Sequence, residues 1–293
     1  MKLLPGIFAI LFASLALRAQ TNATFVATWK SAPDPVLYGN RPDIQYGEAD
    51  GQKLFLDANV PAGSGPFPIL IIVHGGGWMS GDKEGDIVPV IASYATNFTW
   101  FTIGYRLAPT NRWPACFDDV QTAVRWAKQH ATEYKGDPDH IALLGYSAGG
   151  HLVTLAGTLA AADLHVQAIV GMAPPSDLVW DNERRGGLSK SMTNLFNYAT
   201  TNITSDRRAL LKQYSPLTYV KPGLQPFLLI QGTADRTVPY RETTNFMASL
   251  QAAGVPCDLL AITNGQHRIK DWSNYRPDWQ KELIAWLNQK LAR

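Results

Sequence analysis

Cysteine is scarce, net charge is close to nil, and only one long apolar run occurs. Cys116 and Cys257 are the only cysteines among 293 residues. They allow at most one disulfide, which needs a proximity the sequence does not show, and two cysteines so far apart carry no metal-ligand spacing. The expectation is two free, buried thiols. Basic and acidic residues number 26 and 24. Residues 1–20 hold Lys2 and Arg18 and no acid, so the rest of the chain carries 24 of each. A neutral chain gives no electrostatic ground for binding nucleic acid or an anionic membrane. The six histidines show neither H-x-x-x-H nor H-E-x-x-H spacing, so no metal site is expected. Internal repeats and low-complexity tracts are missing. Beyond residue 20 no segment approaches the roughly 20 apolar residues of a membrane-spanning helix.

The one long apolar run is Leu3 to Leu17, behind Met1-Lys2 and ahead of Arg18-Ala19-Gln20. A short charged start and an apolar stretch of roughly 12–15 residues form a signal-peptide pattern. Residues 1–20 are therefore expected to direct export, to the periplasm or outside the cell, with cleavage after Ala19 or Gln20. Leu17 fits the small-x-small cleavage rule poorly, and a retained anchor is the competing reading; no stable membrane association is expected otherwise. Residues 21–42, rich in proline and polar residues, read as an N-terminal arm, and 43–293 as one domain. Sequons at Asn22, Asn97 and Asn202 bear on structure only in a host that glycosylates them.

Within that domain apolar runs alternate with helix patterns. Lys53 to Asn59 alternates Leu54, Leu56 and Ala58 with other residues, as a strand with one buried face does. The runs at 67–73 and 98–104 are continuous, as in strands covered on both sides. In Cys116 to His130, Val120, Val124 and Ala127 share one face; Pro114 marks a start, and Gly136 with Pro138 a stop. Tyr240 to Ala253 and Trp279 to Leu291 follow the same pattern. Such alternation predicts an α/β fold with a mostly parallel sheet, helices on both faces and right-handed crossovers.

Four segments at strand ends carry chemistry, and sites in such sheets form at the carboxyl ends of strands. Gly145-Tyr146-Ser147-Ala148-Gly149 lies between the run Ile141 to Leu144 and a helix-like stretch, His151 to Ala162. Strand, Gly-flanked turn and helix are the setting of a nucleophile elbow, with Ser147 as the nucleophile. His74-Gly75-Gly76-Gly77-Trp78 ends the run Phe67 to Val73. Its glycines let backbone amides approach a developing oxyanion, and such donors contribute about 3–4 kcal/mol each. The donors are assigned to Gly76, Gly77 and Ala148; because the sequence does not fix peptide orientation, Gly75 or Trp78 can replace one. Trp78 and Tyr146, which flank these elements, are assigned to substrate binding.

An acid and a base should follow in chain order. Asp235 stands just past Phe227 to Ile230, in Gly232 to Pro239. His267 stands past Leu259 to Ile262, in Thr263 to His267. His267 would serve as general base toward Ser147, and Asp235 would orient and stabilise its imidazole. Asp258 and Asp271 compete for the acid role, but the first precedes its strand and the second lies well into the next segment. His74 is read as a brace of its loop and His151 as a packing residue, although both are near the site; His130, His140 and His165 read as solvated. Between Met172 and Leu228 no long apolar run occurs. Residues 175–220 are expected to form a cap-like insertion over the pocket, with Phe196 and Tyr198 lining it; a surface excursion is the alternative.

These residues resemble the α/β-hydrolase superfamily. The chain is most similar to its esterases with an HGGGW loop, hormone-sensitive-lipase-like and acetylxylan/feruloyl esterase-like (BD-FAE-like). The resemblance runs from about Asp43 to the C-terminus and includes Tyr105 to Pro109 and Trp113 to Val120. It implies a serine esterase that acts without a cofactor on a small-molecule or oligosaccharide ester, with acetyl or feruloyl groups on plant-wall carbohydrate as the expected substrate. Tyr146 stands where many such esterases carry Asp, and Gly-Gln-His-Arg stands where Gly-His-Gly-Phe is common. Short-chain lipase and arylformamidase-like amidase are the nearest rival activities. A non-catalytic binding protein on the same fold is a more distant one, since such proteins usually lose the nucleophile or the base.

Overall fold

A computed structural model of the chain describes residues 39–198 and 204–292. The expected signal peptide, most of the N-terminal arm and the sequons at Asn22 and Asn202 lie outside the described residues. Among the described residues eight strands form one sheet in the order β1-β2-β4-β3-β5-β6-β7-β8. They are β1 (Arg41–Ala49), β2 (Gln52–Asn59), β3 (Phe67–Val73), β4 (Thr99–Ile103), β5 (Gly136–Tyr146), β6 (Ala168–Met172), β7 (Phe227–Gly232) and β8 (Cys257–Ile262). The pairs β1–β2 and β2–β4 are antiparallel; all other neighbours are parallel.

Strand β1 has no counterpart among the expected strands. It is an edge strand in which Tyr46 is the only buried residue, so it has neither a continuous apolar run nor a clean alternation. It also begins at Arg41, so the last two residues assigned to the arm belong to the sheet.

Successive side chains of β3 serve opposite faces. Ile69, Ile71 and Val73 join one apolar cluster with Val120, Val124 and Leu152. Leu70 and Ile72 join another with Trp272, Trp279 and Leu283. That division follows from the two-residue repeat of a strand, and it explains why β3 is apolar at almost every position. The first face is covered by α2 (Ala115–His130), α3 (Ala148–Leu159) and α7 (Tyr240–Ala252), the second by α1 (Val88–Ile91) and α8 (Trp279–Lys290). Gly136 and Pro138 do not end α2 as expected. A turn of 3-10 helix, Ala131–Tyr134, and a left-handed Lys135 reverse the chain first, and both residues belong to β5.

Among the described residues between β6 and β7 lie three short helices, α4 (Leu178–Arg185), α5 (Lys190–Phe196) and α6 (Ser205–Gln213). Asp177, Ser189 and Thr204 cap them, each side chain accepting from an amide of the first turn. Among the described residues no helix is long and apolar enough to cross a membrane.

Candidate active site

Ser147 follows β5 and immediately precedes α3, which starts at Ala148 rather than at His151. Its backbone lies at φ 52°, ψ −116°, a conformation unfavourable for a side chain with a Cβ. Its amide donates to Met172 O at 2.8 Å, which fastens the turn to β6. The turn demands glycine on either side. A Cβ on Gly145 would meet Gly149 O at 2.3 Å, and one on Gly149 would meet Val73 O at 2.2 Å.

The loops after β7 and β8 bring the other two residues to this turn. His267 Nε2 lies 3.0 Å from Ser147 Oγ, and His267 Nδ1 lies 2.7 Å from Asp235 Oδ2. A carboxylate oxygen accepts, so Nδ1 carries the proton and Nε2 is free to accept from the serine hydroxyl. Asp235 is buried and its two oxygens receive further hydrogen bonds. Thr237 N and Val238 N donate to Oδ1 at 2.8 and 3.0 Å, and Gln231 Nε2 donates to Oδ2 at 2.9 Å. Thr243 Oγ1 in turn donates to Gln231 Oε1. Gln231 was not among the expected site residues, although a polar side chain closing an apolar strand was the available signal.

Tyr146 occupies a different place from the one expected. It is buried, and its hydroxyl donates to His267 O at 2.6 Å while its ring tilts against the imidazole at 5.3 Å. Trp272 Nε1 donates to the adjacent carbonyl, Gln266 O, at 2.7 Å. Tyr146 therefore braces the histidine loop and does not line the cavity beside Ser147. Burial holds its phenol above the usual range, so it remains a donor.

The HGGGW loop is held from behind. Tyr105 Oη donates to His74 O and Gly75 O at 3.1 and 3.2 Å, and its ring stacks on His74 at 4.2 Å. The neighbouring Arg106 makes a buried ion pair with Asp119 of α2 through Nε and Nη2, and its own amide donates to Asp119 Oδ2 at 2.8 Å. The segments Tyr105 to Pro109 and Trp113 to Val120 thus share a structural purpose. His74 is buried, which keeps its imidazole neutral below the usual range, and its Nδ1 lies 2.7 Å from Gly75 O. Gly76 has φ 105°, and its carbonyl accepts from Met79 N and Ser80 N, which closes the loop.

Beside Ser147 lies a cavity of about 160 Å³. Gly77, Trp78 and Ala148 form one side of it; Leu178, Asp181 and Arg185 of α4 form another. Met192 of α5, Val238 and Glu242 complete much of the wall. Residues of the insertion therefore line the cavity beside Ser147. Phe196 and Tyr198 do not line this cavity: Phe196 stacks on Tyr214 at 5.3 Å and packs against Trp113, and Tyr198 packs behind it. Gly76 also stays outside the lining, whereas Gly77, Ala148 and Trp78 are within it. His151 takes no part in the proton chain. It is fully buried, faces Trp78 edge-on at 5.4 Å, and its Nε2 is 2.8 Å from Tyr214 O. A wider groove of about 470 Å³ lies behind the HGGGW loop, against His74 and Arg106, and does not include Ser147.

A mostly parallel sheet with a serine on a strained strand-to-helix turn, and a histidine and a carboxylate on the loops after later strands, defines an α/β-hydrolase. The BD-FAE family model matches residues 56–250, and the chain belongs to the BD-FAE family. Esterase LipC of Mycobacterium tuberculosis (strain ATCC 25618 / H37Rv) is 30% identical over 227 residues, 73% of this chain and 56% of LipC. Carboxylic ester hydrolase LipN of the same organism is 37% identical over 251 residues, 80% of this chain and 66% of LipN. The chain spans about half the length of several curated relatives it matches. Among solved structures, a truncated carbohydrate esterase from gut microbiota superimposes with a TM-score of 0.74 at 20% identity, covering 89% of this chain and 99% of that one. The acetyl ester-xyloside bifunctional hydrolase of Caldicellulosiruptor lactoaceticus gives 0.72 at 23% identity, covering 86% and 98%.

Proposed function

We propose that this chain is a carboxylic ester hydrolase in which Ser147, His267 and Asp235 form the catalytic triad. The observation that carries the reading is the continuous hydrogen-bond chain from Asp235 Oδ2 through both nitrogens of His267 to Ser147 Oγ. Ser147 Oγ attacks the acyl carbon as His267 Nε2 takes its proton. The resulting oxyanion is met by amides of the HGGGW loop and of Ala148, with Gly77 supported by its place in the cavity wall and Gly76 by the resemblance. His267 returns the proton to the departing alkoxide. Water then enters, gives a proton to His267, and releases the acid from the acyl-enzyme. Asp235 holds the imidazole tautomer throughout. Trp78 packs against the bound ester from its place in the cavity wall.

The cavity of about 160 Å³ is smaller than the roughly 300–1,000 Å³ of sites for drug-sized ligands. Its size supports an acetyl group over a feruloyl group, and the polar side chains around it support a carbohydrate ester over a long-chain lipid. Export is proposed on the sequence of residues 1–20 alone. The direct test is hydrolysis of an aryl acetate by the wild type and by Ser147→Ala. A loss of about 10⁶-fold in kcat is expected, together with loss of labelling by a fluorophosphonate probe. A variant that kept most of its turnover would end the proposal. Activity that rose with acyl length beyond about eight carbons would be incompatible with a cavity this small.

A further inference from the structure

The cavity beside Ser147 contains a feature that ester hydrolysis does not require. Glu242, near the start of α7, is buried at 2% exposure and lines the cavity. Its Oε1 accepts from Ser176 N and Asp177 N at 2.8 and 3.0 Å, which ties α7 to the segment leading into α4. Its Oε2 has no hydrogen-bond partner among the described residues. Trp78, on the opposite side of the nucleophile in sequence but in the same cavity wall, has an indole Nε1 in the same condition. Two residues of one small cavity wall thus each carry an unpartnered buried polar atom, which is costly, at about 1–3 kcal/mol each, unless water or a ligand meets it.

Their chemistry restricts that ligand. An indole N–H only donates. Burial pushes the Glu242 carboxyl up to about 8, with Asp181 adding to the rise, so at neutral pH the group is protonated and offers both a donor and acceptor capacity. A hydroxyl, which donates once and accepts twice, matches both atoms. An alkyl group matches neither. We propose that Glu242, together with the Trp78 indole, is a specificity-determining residue that receives a hydroxyl group of the ester substrate. The inference rests on the ester-hydrolase reading of the site and names the substrate chemistry within it. The hydroxyl could belong to the acyl part or to a sugar-like alcohol; the shared chemistry is a hydroxylated group next to the scissile ester.

The test compares two matched pairs of esters. On the acyl side, 4-nitrophenyl 3-hydroxybutyrate is set against 4-nitrophenyl butyrate. On the alcohol side, a monoacetylated methyl β-xyloside is set against cyclohexyl acetate. For each pair the ratio of kcat/KM values is measured in wild type, Glu242→Gln, Glu242→Leu and Trp78→Phe. Glu242→Gln keeps an oxygen for Ser176 N and Asp177 N and places a donor where Oε2 was. The expected result is that Glu242→Leu lowers the hydroxylated-to-plain ratio about tenfold in one pair, Trp78→Phe lowers it in the same pair, and Glu242→Gln restores it. The pair that responds identifies the source of the hydroxyl. If Glu242→Leu depresses both members of both pairs equally, Glu242 only ties α7 to the Ser176–Asp177 segment and the proposal is overturned. If the wild type hydrolyses none of the four esters and is not labelled by a fluorophosphonate, the ester-hydrolase reading has failed and this inference fails with it. Thermal unfolding of each variant separates a misfolded protein from an altered preference.

Discussion

Ser147 holds φ 52° because Gly145 and Gly149 let strand and helix close around it, and the resulting strain of about 1–3 kcal/mol leaves its hydroxyl facing His267. Two other buried residues should imprint themselves on stability through pH. Burial lowers the His151 imidazole from 6.5 to about 4. The unfolded chain therefore takes up a proton below about 6.5 that the folded chain refuses. Stability is full above that pH and falls, by roughly 3 kcal/mol, as pH drops toward 4. Glu242 acts in the opposite sense. Its carboxyl rises from 4.5 to about 8, among Asp177, Asp181 and the Arg185 guanidinium that shares the cavity. The folded chain retains a proton that the unfolded chain releases above about 4.5, so this contribution is full at acid pH and is lost as pH rises through 8. Urea midpoints taken from pH 4 to 9 should show the two slopes opposing one another between about 4.5 and 6.5. Glu242→Gln should remove the alkaline fall, and His151→Gln the acid one.

The nucleophile elbow and the Arg106–Asp119 clasp set the tolerances of the fold at the level of elements. Glycine at 149 is required by contact, since an added Cβ would press on Val73 O and His74 O at 2.2 and 2.4 Å. Gly149→Ala should cost about 3 kcal/mol or more, because two backbone segments must separate. Gly254→Ala, with φ 75° and nothing within 4 Å, should cost only about 1 kcal/mol of backbone strain. Urea denaturation of the two variants checks the ordering. Asp119→Ala leaves the buried Arg106 guanidinium with only the exposed Asp50 carboxylate as a partner, and a loss of about 3 kcal/mol is expected in the same measurement. Because Tyr105 adjoins Arg106 and holds the carbonyls of His74 and Gly75, that variant should also lose esterase activity at temperatures where it remains folded. Elements of this kind are readable when local pattern and contact coincide. The elbow is readable because its glycines are adjacent in sequence to the serine they free. Strand β1 is not, because an exposed edge leaves no apolar signature.

For the whole molecule, the sheet order brings together loops that are far apart in the chain. Ser147, Asp235 and His267 follow β5, β7 and β8, three strands on the same half of the sheet, all parallel, so their carboxyl ends open on one side. The insertion is fixed to the same site from above. Arg184 and Arg185 of α4 both donate to Thr237 O, and Thr237 N donates to Asp235 Oδ1. The insertion and Asp235 are thus joined through one residue. The two thiols report on the integrity of the entire fold. Cys116 and Cys257 are free and buried, and burial pushes each up to about 12. Neither should react with a maleimide at neutral pH faster than the protein unfolds, and reductant should leave the melting temperature unchanged. Mass spectrometry of native and urea-unfolded protein checks the first, and a thermal melt with and without dithiothreitol checks the second.

The sequence by itself determined the strand–turn–helix setting of Ser147, the glycine loop, the placing of Asp235 and His267 just past successive strands, and the alternation of strand and helix that makes the sheet mostly parallel. Each is written in residues next to one another, where backbone freedom and the repeat of a strand or helix act locally. Only the tertiary structure decided that Tyr146 faces His267 rather than the cavity, that Phe196 packs on Trp113 and Tyr214 with Tyr198 against Phe196, and that Gln231 and Glu242 stand at the site. Those assignments depend on which side chains meet across elements dozens of residues apart, and a short polar or aromatic residue leaves the same trace in sequence whether it meets substrate, a carbonyl or another ring.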